Sequence, residues 1–96
     1  MDNNILFKDI KIKLPELRTW FDGREVYPSL QDLRLLMIFL SDPYKQFSGD
    51  ELITLVDLPS KASLHTLVCR LRQLLDGKYI FAVRGWGYAF AKERDS

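Results

Sequence analysis

The apolar residues change their spacing twice along the chain, and this limits the fold more than any other feature. In Ile10-Lys11-Ile12-Lys13-Leu14 they alternate strictly with lysines. A period of two places Ile10, Ile12 and Leu14 on one face of a half-buried strand. The run from Ile5 to Leu14 reads as one strand, ended by Pro15-Glu16. Leu17 to Phe21 reads as a second and Arg24 to Tyr27 as a third, joined through the tight hairpin signal Asp22-Gly23. Residues 5–27 therefore predict a small antiparallel meander.

From Pro28 the spacing becomes helical. Leu30, Leu33, Leu36, Met37 and Leu40 share one face, with Ser29 as N-cap, Asp32 favouring the helix start and Asp42-Pro43 as the stop. Tyr44 to Phe47 reads as an extended link. Ser48-Gly49-Asp50-Glu51 has the form of a capping box, opening a short helix whose apolar side is Leu52, Ile53, Leu55 and Val56 and which Asp57-Leu58-Pro59 ends. A third helix starts near Ser60 or Ser63 and runs to about Leu75, with Leu64, Leu67, Val68, Leu71, Leu74 and Leu75 on one face and Gly77 as the expected stop. Beyond it, Lys78 to Arg84 reads as a strand, Gly85-Trp86-Gly87 as a turn and Tyr88 to Phe90 as the returning strand. Residues 91–96 read as a frayed tail. The order predicts a single α+β domain over residues 1–96: an N-terminal antiparallel β-sheet, three helices across 29–76 and a C-terminal β-hairpin at 78–90. This is the winged helix-turn-helix plan with a sheet added in front.

Composition narrows the function classes. The chain has 96 residues, 47% of them hydrophobic, enough for a core in one small domain. One Cys and one His exclude a disulfide framework and a Cys/His zinc site. The longest apolar stretch, Leu35 to Leu40, falls far short of the roughly 20 residues of a membrane span. Met1-Asp2-Asn3-Asn4 does not open a signal peptide, and the expected location is cytoplasmic. Paired carboxylates, a nucleophile with its base, a metal cluster and a phosphate loop are all missing, so neither enzyme activity nor a cofactor is expected.

Net charge is only +1, but it is unevenly spread: residues 1–59 hold 7 basic and 10 acidic side chains, residues 60–96 hold 7 basic and 3 acidic. At 100° per residue, the third helix turns Ala62, Thr66, Cys69 and Gln73 away from its leucines, with Arg70 and Arg72 on the flanks and His65 on the Arg72 side. Between Lys61 and Gln73 it carries no acidic residue. Small neutral side chains let such a helix sink toward base edges in a DNA major groove, while flanking cations meet phosphates. A solvated face with two arginines is the simpler alternative. The glycines in Arg84-Gly85-Trp86-Gly87 suit positive φ at an exposed tip. A cation at that tip, Arg84, can reach the negative potential of a minor groove.

Val83-Arg84-Gly85-Trp86-Gly87-Tyr88, together with Leu71-Arg72 late in the third helix, resembles the OmpR/PhoB family of response-regulator DNA-binding domains. That family has a valine-arginine-glycine-x-glycine-tyrosine wing and a leading four-stranded sheet, and its first helix, rich in phenylalanine and leucine, ends in proline, as in residues 5–43. The resemblance implies that Arg70 contacts a base, Arg72 a phosphate and Arg84 the minor groove. Ala82 stands where a polar residue is common near the wing contact, and Tyr88 where a tyrosine packs under the wing. It further implies double-stranded DNA as partner, head-to-tail homodimers on direct-repeat sites and an RNA polymerase contact through the loop from Asp57 to Lys61. The receiver domain that normally precedes such a module is not among these residues, so the chain is read either as an excised effector domain or as part of a protein without one.

The sequence also departs from the family. Ala62, His65 and Leu67 replace an arginine, an aspartate and a histidine, Gln73 replaces a frequent lysine, and the 57–61 loop is short. Fewer cations mean fewer phosphate contacts and a shallower salt dependence, at about −0.9 in slope per phosphate. A winged helix used for protein contacts without DNA is the competing reading. Trp86 is read either as packing on a sugar-phosphate backbone or neighbouring protomer, or as folding back over its hairpin. Cys69 is read as a small groove-compatible side chain rather than a redox switch, and His65 as a phosphate or base contact rather than a metal ligand.

Overall fold

The structure is a computed structural model and describes residues 3–91. The tail expected at 91–96 lies outside these residues except for Ala91, which is buried and donates its N–H to the Pro43 carbonyl at 3.0 Å.

The N-terminal sheet has four strands rather than the three read from the residues: β1 (Asn3–Phe7), β2 (Ile10–Leu14), β3 (Arg18–Phe21) and β4 (Arg24–Val26), antiparallel in that order. The run expected as one strand folds back at Lys8-Asp9, where Lys8 takes a φ of +51°. Distant contacts hold this turn. The Asp9 carbonyl accepts the Asp22 N–H at 2.8 Å, and its carboxylate accepts hydrogen bonds from Tyr79 Oη and Lys78 Nζ. The Asp22-Gly23 turn forms as expected, with both residues at positive φ. Cross-strand rows then sort the faces: Ile10 and Phe21 pair and are buried, whereas Leu6, Lys11, Trp20 and Glu25 form an outer row.

Three helices follow: α1 (Leu30–Ser41), α2 (Gly49–Val56) and α3 (Lys61–Leu74). Ser29, Ser48 and Ser60 cap them, each accepting an N–H from the third helical residue, and Asp32 and Glu51 complete reciprocal boxes. The buried face of α1 is Leu33, Leu35, Leu36 and Phe39, rotated from the expected stripe, while Leu30 is 65% exposed. The rotation follows from Phe39, which must meet Phe90 and Phe47, with ring centroids at 5.5 and 5.7 Å. Leu55 of α2 is likewise exposed. Helix α3 ends at Leu74 with Leu75 as its C-cap, so its left-handed closing position falls on Asp76, one residue before the expected glycine. Asp76 takes the left-handed conformation, Gly77 donates to the Arg72 carbonyl at 2.8 Å and Asp76 to that of Gln73 at 3.1 Å, which is a Schellman closure.

The C-terminal hairpin, β6 (Phe81–Val83) and β7 (Gly87–Ala89), is part of a larger sheet. The expected link before α2 contains a strand, β5 (Gln46–Ser48), which pairs with β7 to give the order β5-β7-β6. One hydrophobic core joins both sheets and all three helices.

Burial raises the pKa of Asp9, but the hydrogen bonds from Tyr79 and Lys78 outweigh it and hold the carboxyl below its ordinary value of 3.8. The same burial and bond push the Tyr79 phenol upward, so it stays a donor. A depressed carboxyl pKa contributes stability that is present above the unfolded value and is lost as pH falls through the folded one. Asp9→Asn should therefore flatten the acid side of the stability profile below about pH 4, seen as a smaller drop in melting temperature between neutral and acidic buffer.

Candidate nucleic-acid interface

Helix α3 buries Leu64, Leu67, Val68, Leu71 and its cap Leu75 and exposes Lys61, Ala62, His65, Thr66, Cys69, Arg70, Arg72 and Gln73. The sequence-predicted residues of this helix thus lie together on its outer side. Its centre is quiet chemically. Thr66 donates its hydroxyl back to the Ala62 carbonyl at 3.1 Å, and Cys69 Sγ lies 3.6 Å from His65 Nε2.

The wing stands beside the start of this helix. Trp86 N–H donates to the Val83 carbonyl at 2.9 Å, closing a turn with Gly85 at φ +73° and Arg84 exposed next to it. The two glycines differ in purpose. Gly85 supplies the positive φ, as expected. Gly87 does not: a Cβ there would lie 2.1 Å from the Phe47 carbonyl oxygen and 2.7 Å from the Gly49 nitrogen. It is glycine because β5 and the first residue of α2 press against it. Gly49 donates its N–H to the Trp86 carbonyl at 3.0 Å, fixing the wing on the start of α2.

Between wing and helices lies an open cleft of about 620 Å³, lined among others by Lys61, Leu64, Ala82, Arg84 and Trp86, with Asp50 on its α2 side. Trp86 is 58% exposed and borders this cleft. Tyr88 is half-buried against the core, the place expected for it.

Ion pairing separates the cations. Lys13, Arg18, Arg24, Lys45, Arg70 and Lys78 each meet a carboxylate. Among the described residues Lys61, Arg72 and Arg84 do not, and neither do Arg34 on α1 or Lys8 and Lys11, which lie over the Phe7 and Trp20 rings. Asp76, the acidic residue nearest the end of α3, is neutralised by Arg24 at 3.2 Å. Sequence reasoning missed the tie on Arg70: its Nη2 donates to Asp32 Oδ1 at 2.9 Å and to Ser29 Oγ at 3.3 Å. The available signal was the capping box itself, since a carboxylate that caps with one oxygen has another to offer.

This arrangement of sheet, helices and wing overlays closely on known structures. The DNA-binding domain of the response regulator AdeR, solved in complex with an intercistronic region, matches 94% of this chain and 100% of its own at a TM-score of 0.86 and 21% identity. DrrB, an OmpR/PhoB homologue from Thermotoga maritima, matches 92% of this chain and 44% of its own at 0.81 and 20%. The chain has the winged-helix fold of the OmpR/PhoB DNA-binding domains. In that OmpR/PhoB-type fold α3 occupies the second position of the helix-turn-helix, and the β6–β7 hairpin is the wing. In sequence, a probable transcriptional regulatory protein of Picosynechococcus is 34% identical over 93 aligned positions, covering 88% of this chain. The chain spans 37% of that relative's length. No family model matches the chain. Among the described residues no group of three or more His, Cys, Asp or Glu could hold a metal ion, and no helix is long and apolar enough to cross a membrane.

Proposed function

We propose that this chain binds double-stranded DNA as the DNA-binding part of a transcriptional regulator, with α3 in the major groove and Arg84 in the minor groove. The observation that carries this reading is the set Lys61, Arg72 and Arg84. These cations lie along one helix and the adjoining wing tip, without ion-pair partners among the described residues, around a helix face of small neutral side chains. Cations kept free of carboxylates are available to phosphates and base edges. The cleft bearing Lys61, Arg84 and Trp86 is a place for the sugar-phosphate strand between the two grooves. The likeness to AdeR, whose domain was solved on DNA, supports the same reading. His65, Thr66, Cys69 and Gln73 would face the groove floor. Head-to-tail dimers on direct repeats and an RNA polymerase contact through the 57–61 loop belong to the same proposal.

The test is selection from a random duplex library at physiological salt. An enriched direct repeat supports sequence reading and the dimer together. The absence of any enriched sequence would favour a winged helix that contacts protein instead.

Arg84→Ala should weaken binding to the enriched duplex while leaving the melting temperature unchanged, because the side chain stands at an exposed tip. Arg72→Ala should reduce affinity about equally for enriched and scrambled duplexes and lower the salt slope by about 1. Fluorescence anisotropy across a salt series reads both effects.

A further inference from the structure

We infer that Asp32, on α1, is a positioning residue for Arg70 and through it determines sequence preference without touching DNA. This rests on the DNA-binding reading above and goes beyond it by assigning the pair.

The carboxylate of Asp32 is shared between two tasks. Oδ2 accepts the Ser29 N–H at 3.0 Å, completing the cap of α1, and Oδ1 accepts from Arg70 Nη2 at 2.9 Å. Ser29 Oγ in turn accepts the Asp32 N–H at 3.1 Å and is 3.3 Å from the same Arg70 nitrogen. The Asp32 side chain is only 13% exposed, whereas that of Arg70 is 52% exposed. The acceptor is thus fixed in the protein, and the guanidinium is held at one end with the rest of its fork open to solvent.

A free arginine samples many rotamers and loses about 2 kcal/mol of conformational entropy when it is fixed. An arginine already held at Nη2 has lost much of that freedom before DNA arrives. Its planar fork then faces one direction, as bidentate recognition of a guanine edge requires. The same carboxylate opposes loose use of Arg70 as a phosphate clamp, because it already neutralises that charge. Both effects raise preference relative to general affinity. The pair also ties α1 to α3, 38 positions apart in sequence, so the guanidinium is referred to the body of the domain rather than to α3 alone.

The experiment runs parallel library selections with wild type, Asp32→Asn, Arg70→Ala and the double variant. Affinities for the wild-type enriched duplex and a scrambled duplex are then measured by anisotropy. Asn at 32 keeps a carbonyl oxygen for the Ser29 N–H, so the cap is preserved, but the charge facing Arg70 is lost. The expected result is that Asp32→Asn relaxes the same base positions as Arg70→Ala. Its preference for the enriched over the scrambled duplex should fall at least about five-fold, the lower end of what one bidentate arginine supplies. Scrambled-duplex affinity should be unchanged or tighter, and the double variant should be no worse than Arg70→Ala alone. A purely structural role would weaken both duplexes together and lower the melting temperature, and that result overturns the inference. An unchanged Asp32→Asn motif overturns it as well. If wild type enriches nothing, the DNA-reading proposal itself fails and takes this inference with it, an outcome distinct from an unchanged motif.

Discussion

Phe90→Ala is expected to be the most damaging single substitution in the chain, costing about 3–5 kcal/mol of folding stability. Phe90 is fully buried at the meeting point of the two sheets and α1. Its ring lies parallel to Tyr79 at 4.8 Å between centroids and near-parallel to Phe39 at 5.5 Å, and Phe7 reaches it at 5.7 Å. Truncation leaves a hole bordered by rings that belong to a strand, a helix and the post-α3 segment, which cannot collapse inward together. A domain of this size has a total stability of about 5–15 kcal/mol, so the loss is a large fraction of it. Thermal denaturation followed by circular dichroism should show the midpoint falling by more than about 10 °C. A smaller fall would mean that the aromatic cluster repacks more freely than its geometry implies.

Gly87→Ala should cost about 1–3 kcal/mol or more, although it adds a single methyl group. The three atoms nearest the added carbon would all be backbone: the Phe47 carbonyl oxygen at 2.1 Å, the Gly49 nitrogen at 2.7 Å and the Ser48 carbonyl carbon at 2.8 Å. No side chain can turn aside to relieve these contacts, so β7 must part from β5 or the start of α2 must shift. Either movement displaces the wing, and duplex affinity should fall even though Arg84 is untouched. Gly85→Ala is the control. Nothing lies within 4 Å of its would-be Cβ, and the cost is that of a positive φ alone, about 1–2 kcal/mol. Urea denaturation of the two variants should rank Gly87→Ala as the more severe. The reverse order would remove the account of why this wing carries two glycines.

The parts legible in the sequence are those fixed by neighbours in the chain. Ser29, Ser48 and Ser60 announce helix starts because their hydroxyls reach N–H groups three residues on. Asp22-Gly23 announces a hairpin because few other residue pairs tolerate two positive φ values. The misread parts are fixed from far away. The Lys8-Asp9 turn has no glycine, proline or asparagine, and its stability comes from Tyr79 and Lys78, some 70 residues later. Strand β5 exists because β7 pairs with it. The stripe on α1 is rotated because Phe39 answers to Phe90. Arg70 could be placed on the outer face of α3 from periodicity, and the capping box of α1 offers a spare Asp32 oxygen, but nothing local says that a residue 38 positions later takes it.

The two tight turns of the N-terminal sheet have a joint effect. The first grips Lys78 and Tyr79 through Asp9; the second supplies Arg24, which holds Asp76; and the Asp22 N–H bonds the turns to each other. All three gripped residues lie in the short connector between the end of α3 and the wing. The sheet therefore works as a jig. It clamps the elbow between the element proposed to enter one groove and the element proposed to enter the other, and so sets the angular gap between them. A duplex whose groove spacing fits that gap is met without bending the protein, and one that does not must itself be deformed. Shape selection of this kind would originate in strands that lie outside the proposed contact surface.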